Sequence, residues 1–174
     1  LIFLISIITV LILGTSAFGS ENFSYNWWKV TFKSPVEFSQ PVEVGLDAVS
    51  LLNPPNVDFK TVQIEITLVA VPKNMKEDLG NTDEDVIEYV KAVFLGTTEP
   101  PLETMDRSFL ENTITGQVLD MAIPHDGLME FYLVPLSNGD SLAIAFRWNL
   151  SIQREEVEKI ISMVSSTLKE IPKE

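Results

Sequence analysis

The sequence predicts an α+β fold in which an antiparallel sheet of five to seven strands is covered by at least two helices, including a long C-terminal helix. Stretches of alternating apolar and polar residues recur along the chain, as expected for half-buried strands. The turns between the last three stretches are short enough for hairpins, which join antiparallel strands. The C-terminal segment has helical spacing instead, so its helix must lie across the sheet.

The N-terminal segment predicts an export signal. Residues 1–13 are apolar and uncharged, and small residues follow as far as Ser20. This pattern is typical of a signal peptide, and the run is shorter than the roughly 20 residues that a membrane-spanning helix needs. We interpret residues 1–19 as a signal peptide whose basic start is missing, cleaved after Ala17 or Gly19. The alternatives are an uncleaved signal anchor and a buried N-terminal helix.

After the leader, we expect a polar lead-in at 20–26 and a single domain at 27–174. Alternation predicts a strand over residues 27–33. Two short strand candidates follow, at 42–46 and 48–52. The clearest strand is 61–71, because its apolar and polar residues point to opposite sides, which predicts a sheet with one strongly buried face.

A helix is predicted from Thr82 to Gly96. Thr82 can cap its start, and three acids occupy the first turn, where the helix dipole favours negative charge. Gly96 is a typical C-terminal stop. The apolar stripe would be Val86, Val90, Val93 and Phe94. A loop containing Pro100-Pro101 then leads into the second half.

The second half predicts three strands and a helix. The strands are expected at 113–123, 128–136 and 141–148, and Asn138-Gly139 is a strong hairpin signal because both residues tolerate positive φ. A helix over 152–171, capped by Ser151, would close the domain. The expected sheet core is Val62, Ile64, Ile66, Val118, Leu133, Ile144 and Phe146, and the expected helix contacts are Val157, Ile160, Ile161, Val164 and Leu168.

The residues predict no catalytic site and no bound cofactor. The chain has no cysteine and one histidine, His125, which lies in a Pro-His-Asp-Gly turn where polar residues serve the backbone. The common zinc ligand sets cannot be assembled from this composition. The acids around Asp78–Glu88 could attract calcium, but they lack the spacing of a calcium loop, and the helix dipole explains them. We therefore expect a protein that is not an enzyme.

The net charge and the aromatic residues limit the kinds of binding partner that we expect. The formal net charge is −13, which disfavours nucleic acid and anionic lipid, so membrane contact is expected only through an uncleaved leader. Trp28 and Trp148 follow apolar alternation and are predicted in the core. Trp27 faces the other way and is a candidate partner contact. The acidic helix start supplies the other candidates, Asp83, Glu84 and Asp85.

Four stretches together resemble the PsbP-like superfamily, named for an extrinsic subunit of photosystem II. They are Lys29–Phe38, Val69–Val86, Ile114–Gly116, and the stretch from Asn138-Gly139 to Leu168. The family often has tryptophan where Phe38 stands. Its fold also occurs in a nuclear-import factor that binds a small GTPase and in bacterial periplasmic proteins. The resemblance implies the fold and a non-enzymatic accessory role on a larger complex, and it assigns no functional residue.

Two functions follow as hypotheses. The first is an exported accessory or interaction protein of an envelope, lumenal or photosynthetic membrane complex, with a protein partner. The alternative is a small-ligand or calcium-binding periplasmic protein, with a cavity between sheet and helix or a carboxylate site near Asp78–Asp85. The expected location is the periplasm, the thylakoid lumen or the extracellular space.

Overall fold

The computed structural model describes residues 22–57, 59–121 and 127–172. In chain order the elements of these residues are β1 (Phe23–Trp27), β2 (Val30–Ser34), β3 (Val42–Gly45), β4 (Ala48–Asn53), β5 (Ile64–Val71), α1 (Lys73–Asp78), α2 (Asp83–Val90), a π-helical turn (Lys91–Leu95), β6 (Glu103–Phe109), β7 (Asn112–Met121), β8 (Gly127–Pro135), β9 (Ser141–Asn149), α3 (Arg154–Thr167) and β10 (Lys169–Glu170).

These strands form two sheets, and every pairing is antiparallel. The large sheet has seven strands in the order β3-β4-β5-β9-β8-β7-β6. The small sheet has the order β1-β2-β10, so it joins the two ends of the described chain. The α+β prediction with an antiparallel sheet and a C-terminal helix is confirmed.

The large sheet is buried on both faces. One face carries Ile64 and Ile66 of β5 and packs against α3 and the small sheet. The other face carries Val69 and packs against the turns of α2. The prediction of one buried face was therefore incomplete. The polar residues of β5 that suggested solvent, Glu65 and Thr67, are buried and bonded to each other and to Ser50.

The predicted core residues are all buried, but they do not share one face. Ile144 and Phe146 belong to the α3 side, whereas Leu133 belongs to the α2 side. The five predicted contacts of α3 are each 3% exposed or less. Trp148 is also buried, as predicted.

The predicted strand at 27–33 is in fact a hairpin. Residues 23–26, expected as lead-in, belong to β1, and Trp28 lies at the turn with φ 53° instead of in a strand. The buried Tyr25 explains the earlier start, because its hydroxyl donates to the Phe38 carbonyl and accepts from the Phe38 amide at 2.6 Å. Trp28 is consequently half-buried and not a core residue.

The predicted helices are shorter than expected. Thr82 caps α2 by accepting from the Asp85 amide, and Gly96 ends the π-helical turn with φ 67°, both as predicted. Val93, placed in the apolar stripe, is instead 57% exposed. Helix α3 begins two residues after Ile152 and its chain turns extended at Leu168, which lets β10 pair with β2.

Three elements were not predicted, namely α1, β6 and β10, and the residues of β10 were expected in the C-terminal helix. Helix α1 buries no residue, and the charged strand β6 shows little apolar alternation. Residues 122–126, with the His125 turn, lie outside the described residues, as does the leader.

Candidate interaction surface

The tip of the β1–β2 hairpin presents two tryptophans and a lysine. The rings of Trp27 and Trp28 lie 6.3 Å apart between centroids, and both side chains are half-buried against the α3-side core. The Lys29 ammonium stands 4.7 Å from the centroid of the Trp28 ring. A positive φ is rare for a residue as bulky as Trp28, so neighbouring contacts must hold this turn.

Asp140 supplies those contacts from the β8–β9 hairpin. Its carboxylate pairs with the Lys29 ammonium and accepts from the Lys73 amide at 2.9 Å and from the Asn138 side chain. Burial works to raise the Asp140 pKa, but these donors outweigh it and lower that pKa below its ordinary value. Asp140 thus binds together three segments that are far apart in sequence.

The acidic start of α2 is exposed. Asp83 pairs with Lys76 of α1, and Asp85 accepts from the Thr82 hydroxyl at 2.5 Å. Glu84 is exposed in the same turn. This turn belongs to the α2 side of the large sheet, whereas Trp27 belongs to the α3 side. The structure therefore does not bring the four predicted contact residues into one site.

An ionic cluster that the sequence reasoning missed joins α3 to the sheet. The fully buried Glu130 of β8 accepts from Arg107 of β6 at 3.0 Å and from Arg154 of α3 at 2.7 Å. Arg107 also donates to Glu158 at 2.8 Å, and the Tyr132 hydroxyl donates to Glu130 at 2.8 Å.

The charged groups of this ionic cluster are paired with one another. Hydrogen bonding to Glu158 raises the pKa of Arg107, and the same contact lowers the pKa of Glu158. Burial, and then the charge of Glu130, raise the pKa of Tyr132. Each charge is met by another member, so the cluster attaches α3 to the sheet and is not poised to react. The sequence could have indicated this cluster through Glu130, because a charged residue within the apolar run of β8 needs partners when it is buried.

A groove of about 860 Å³ lies beside this cluster, between the β6–β7 hairpin and the C-terminal part of α3. Most of the residues that line it are polar, including Ser108, Ser162, Ser165 and Ser166, and Leu110 and Leu168 add apolar contacts. Two of the serine hydroxyls already donate to backbone carbonyls within α3. The groove is large enough for a small organic ligand.

Within the ranges that the structure describes, no group of three or more histidine, cysteine, aspartate or glutamate side chains is arranged to hold a metal ion. In the same ranges no helix is long and apolar enough to cross a membrane.

No protein-family model matches this chain, and no curated protein matches it in sequence. Solved structures do. A structure of a Mog1 mutant matches with a TM-score of 0.54 at 12% identity, covering 85% of this chain and 95% of that one. The Ran-binding protein Mog1p of Saccharomyces cerevisiae matches with a TM-score of 0.53 at 11% identity, covering 86% and 95%.

A Bacteroides thetaiotaomicron structure matches 82% of the chain at 10% identity with a TM-score of 0.48, and this chain spans 45% of its length. Each of the two Mog1 matches covers most of this chain and most of the matched structure. The chain therefore has the fold seen in these Mog1 structures, and at such identities the likeness extends to the fold alone.

Proposed function

We propose that this chain is a non-enzymatic exported accessory protein that binds a protein partner in an envelope, lumenal or photosynthetic membrane complex. The observation that carries the proposal is the hairpin tip, where Trp27 and Trp28 are half-buried on a turn that Lys29 and Asp140 hold in place. Rigid, partly exposed tryptophans are typical of binding hot spots. The fold supports this reading, since one of the similar structures is named as a Ran-binding protein.

The acidic start of α2 supplies a second contact in this proposal. A net charge of −13 favours a basic partner surface. Asp83, Glu84 and Asp85 are exposed on a capped helix end, where they can meet such a surface. Binding through exposed charges weakens with salt, because screening acts over about 8 Å at physiological ionic strength.

A crosslinking pulldown from the native organism tests the proposal. Trp27→Ala should reduce recovery of a defined protein partner about tenfold, whereas Phe59→Ala, which truncates another partly exposed aromatic ring, should not. The double variant Asp83→Lys and Glu84→Lys should also reduce recovery of the partner. The matched control places lysine at Glu155 and Glu156 in the first turn of α3. Equal recovery with all four variants would contradict the assigned surface.

The groove beside α3 supports a second candidate, the small-ligand alternative. A small polar molecule that copurifies with the protein, with no protein partner recovered, would favour this candidate. Calcium binding is part of the same alternative and is tested by calorimetry. Binding below about 100 μM would require a carboxylate cage and would overturn the accessory proposal if no partner were found.

A further inference from the structure

Strand β3 is an exposed apolar edge of the large sheet. It stands at the end of the strand order and pairs with β4 alone. Val42 and Val44 are 38% and 41% exposed, and Leu46, in the turn that follows, is 90% exposed. The opposite edge strand, β6, carries Glu103, Asp106 and Arg107 instead. Charges of that kind discourage pairing with another strand, so the two edges of this sheet differ.

The apolar surface continues onto the π-helical turn. A Cβ atom at Gly45 would stand 3.2 Å from the Phe94 ring, so this turn lies directly against β3. Val93, beside Phe94, is 57% exposed. We call residues 42–46 together with Val93 and Phe94 the β3 edge surface. The register of β3 against β4 shifts between Glu43 and Gly45 and leaves Val44 without a counterpart on β4, as in the bulges that are common at sheet edges.

The chain segment that contains β3 carries charges of one sign. Between Lys33 and Lys60 the sequence contains four acids, Glu37, Glu43, Asp47 and Asp58, and no lysine or arginine. The nearby Lys91 is buried and paired with Glu88. A second copy pairing here would bring two such acidic segments together, and like charges across a strand pair are destabilising. A basic segment would be attracted.

We propose that the β3 edge surface binds an extended segment of another protein, in which apolar residues alternate with lysine or arginine. The segment adds a strand beside β3. Its backbone hydrogen-bonds to the free edge, its apolar side chains cover Val42, Val93 and Phe94, and its basic side chains meet Glu43. This surface is separate from the Trp27 hairpin, so it can be tested while the hairpin tip is left intact.

The test uses the full chain and a peptide of about ten alternating lysine and valine residues. Binding is measured by fluorescence anisotropy, and amide hydrogen exchange locates it. We expect the peptide to bind and to slow exchange within residues 42–47. A peptide of the same composition with its lysines and valines in separate blocks should bind about tenfold more weakly, because it cannot place its valines on one side.

Matched variants separate strand pairing from general attraction to an acidic protein. Glu43→Lys should weaken binding about tenfold, whereas Glu103→Lys, which makes the same charge change on the opposite edge strand, should change it less than about twofold. Trp27→Ala should leave it unchanged, which keeps this result independent of the hairpin-tip proposal. Equal loss in both lysine variants, protection outside 42–47, no binding, or self-association that protects 42–47 would each overturn the inference.

Discussion

Glu130 is a carboxylate with no solvent exposure, placed in the core beneath α3. Such a charge is tolerated because Arg107 and Arg154 reach it from two different elements and the Tyr132 hydroxyl donates to it as well. Replacement of all the charged members of the cluster together by apolar residues is often neutral for stability. Removal of one member alone leaves its partners with an uncompensated charge. We therefore expect Glu130 to contribute more to the position of α3 than to net stability.

Glu130→Ala should lower the free energy of unfolding by about 3–5 kcal/mol, because two arginines lose their buried partner. Urea denaturation measures this directly. Glu158→Ala is the matched control, since its side chain is 42% exposed, and exposed pairs contribute about 1 kcal/mol or less. Equal losses of unfolding free energy in Glu130→Ala and Glu158→Ala would show that the burial of Glu130 does not determine its contribution to stability.

Asp140 makes the stability depend on acidity. Its pKa is lowered below the ordinary value of 3.8 by Lys29, the Lys73 amide and Asn138. A group with a depressed folded pKa stabilises the protein above its unfolded pKa, and this contribution disappears as the pH falls through the folded pKa.

Asp140→Asn should therefore be less stable than the natural chain at neutral pH, and the difference should shrink below about pH 4. Urea unfolding at a series of pH values checks it. Asp120→Asn, at an exposed position of β7, removes the same charge away from the contacts of Asp140 and serves as the control. A constant difference between Asp140→Asn and the natural chain at every pH would contradict the explanation.

At the scale of elements, α3 is held mainly by its apolar stripe. Four apolar side chains of this stripe are buried, and so is Leu168 directly after the helix. At about 2 kcal/mol each, the five contribute on the order of 10 kcal/mol. That is comparable with the whole stability of a domain, which is about 5–15 kcal/mol.

Ile161→Asp should therefore abolish folding, because it places a charge at a position with no exposure. Circular dichroism and urea denaturation would show the loss. Ser166→Asp adds the same charge to the exposed side of the helix and should change stability by about 1 kcal/mol or less. A folded Ile161→Asp variant would mean that α3 is not an essential part of the core.

The elements that the sequence predicts well are those with a clear period and a turn signal. The hairpin at Asn138-Gly139, the cap at Thr82 and the stripe of α3 are all of this kind. Strand β6 lacks alternation because Arg107 turns inward to pair with Glu130. The exposed helix α1 has no apolar face to detect. Burial of β5 on both sides depends on partners for Glu65, which come from other strands.

The candidate site was predicted in part, since single residues could be named but their arrangement could not. The sequence marks Trp27 as a contact candidate, and the structure shows it half-buried at the hairpin tip. The bridge from Lys29 to Asp140 joins residues 111 positions apart, which local patterns cannot show. The same holds for the groove beside α3. The resemblance to the PsbP-like superfamily stays a prediction, because the similar structures are named for Mog1.

At the scale of the whole molecule, the proposed accessory function requires that the protein is exported. N-terminal sequencing of the protein from its native compartment should find a chain that begins at Phe18 or Ser20, because cleavage is expected after Ala17 or Gly19. An intact start in a soluble cytoplasmic fraction would contradict export. An intact start in membranes would favour the signal anchor instead.

The small sheet has a consequence for when the protein can fold. Its middle strand, β2, pairs with β1 near one end of the described chain and with β10 near the other, through Thr31 and Lys169. The residues of β10 are made long after those of β2, so the small sheet stays incomplete until β10 has left the ribosome. Contacts between such distant residues also form slowly. Among the described residues, the small sheet can therefore close only after every strand of the large sheet has been made.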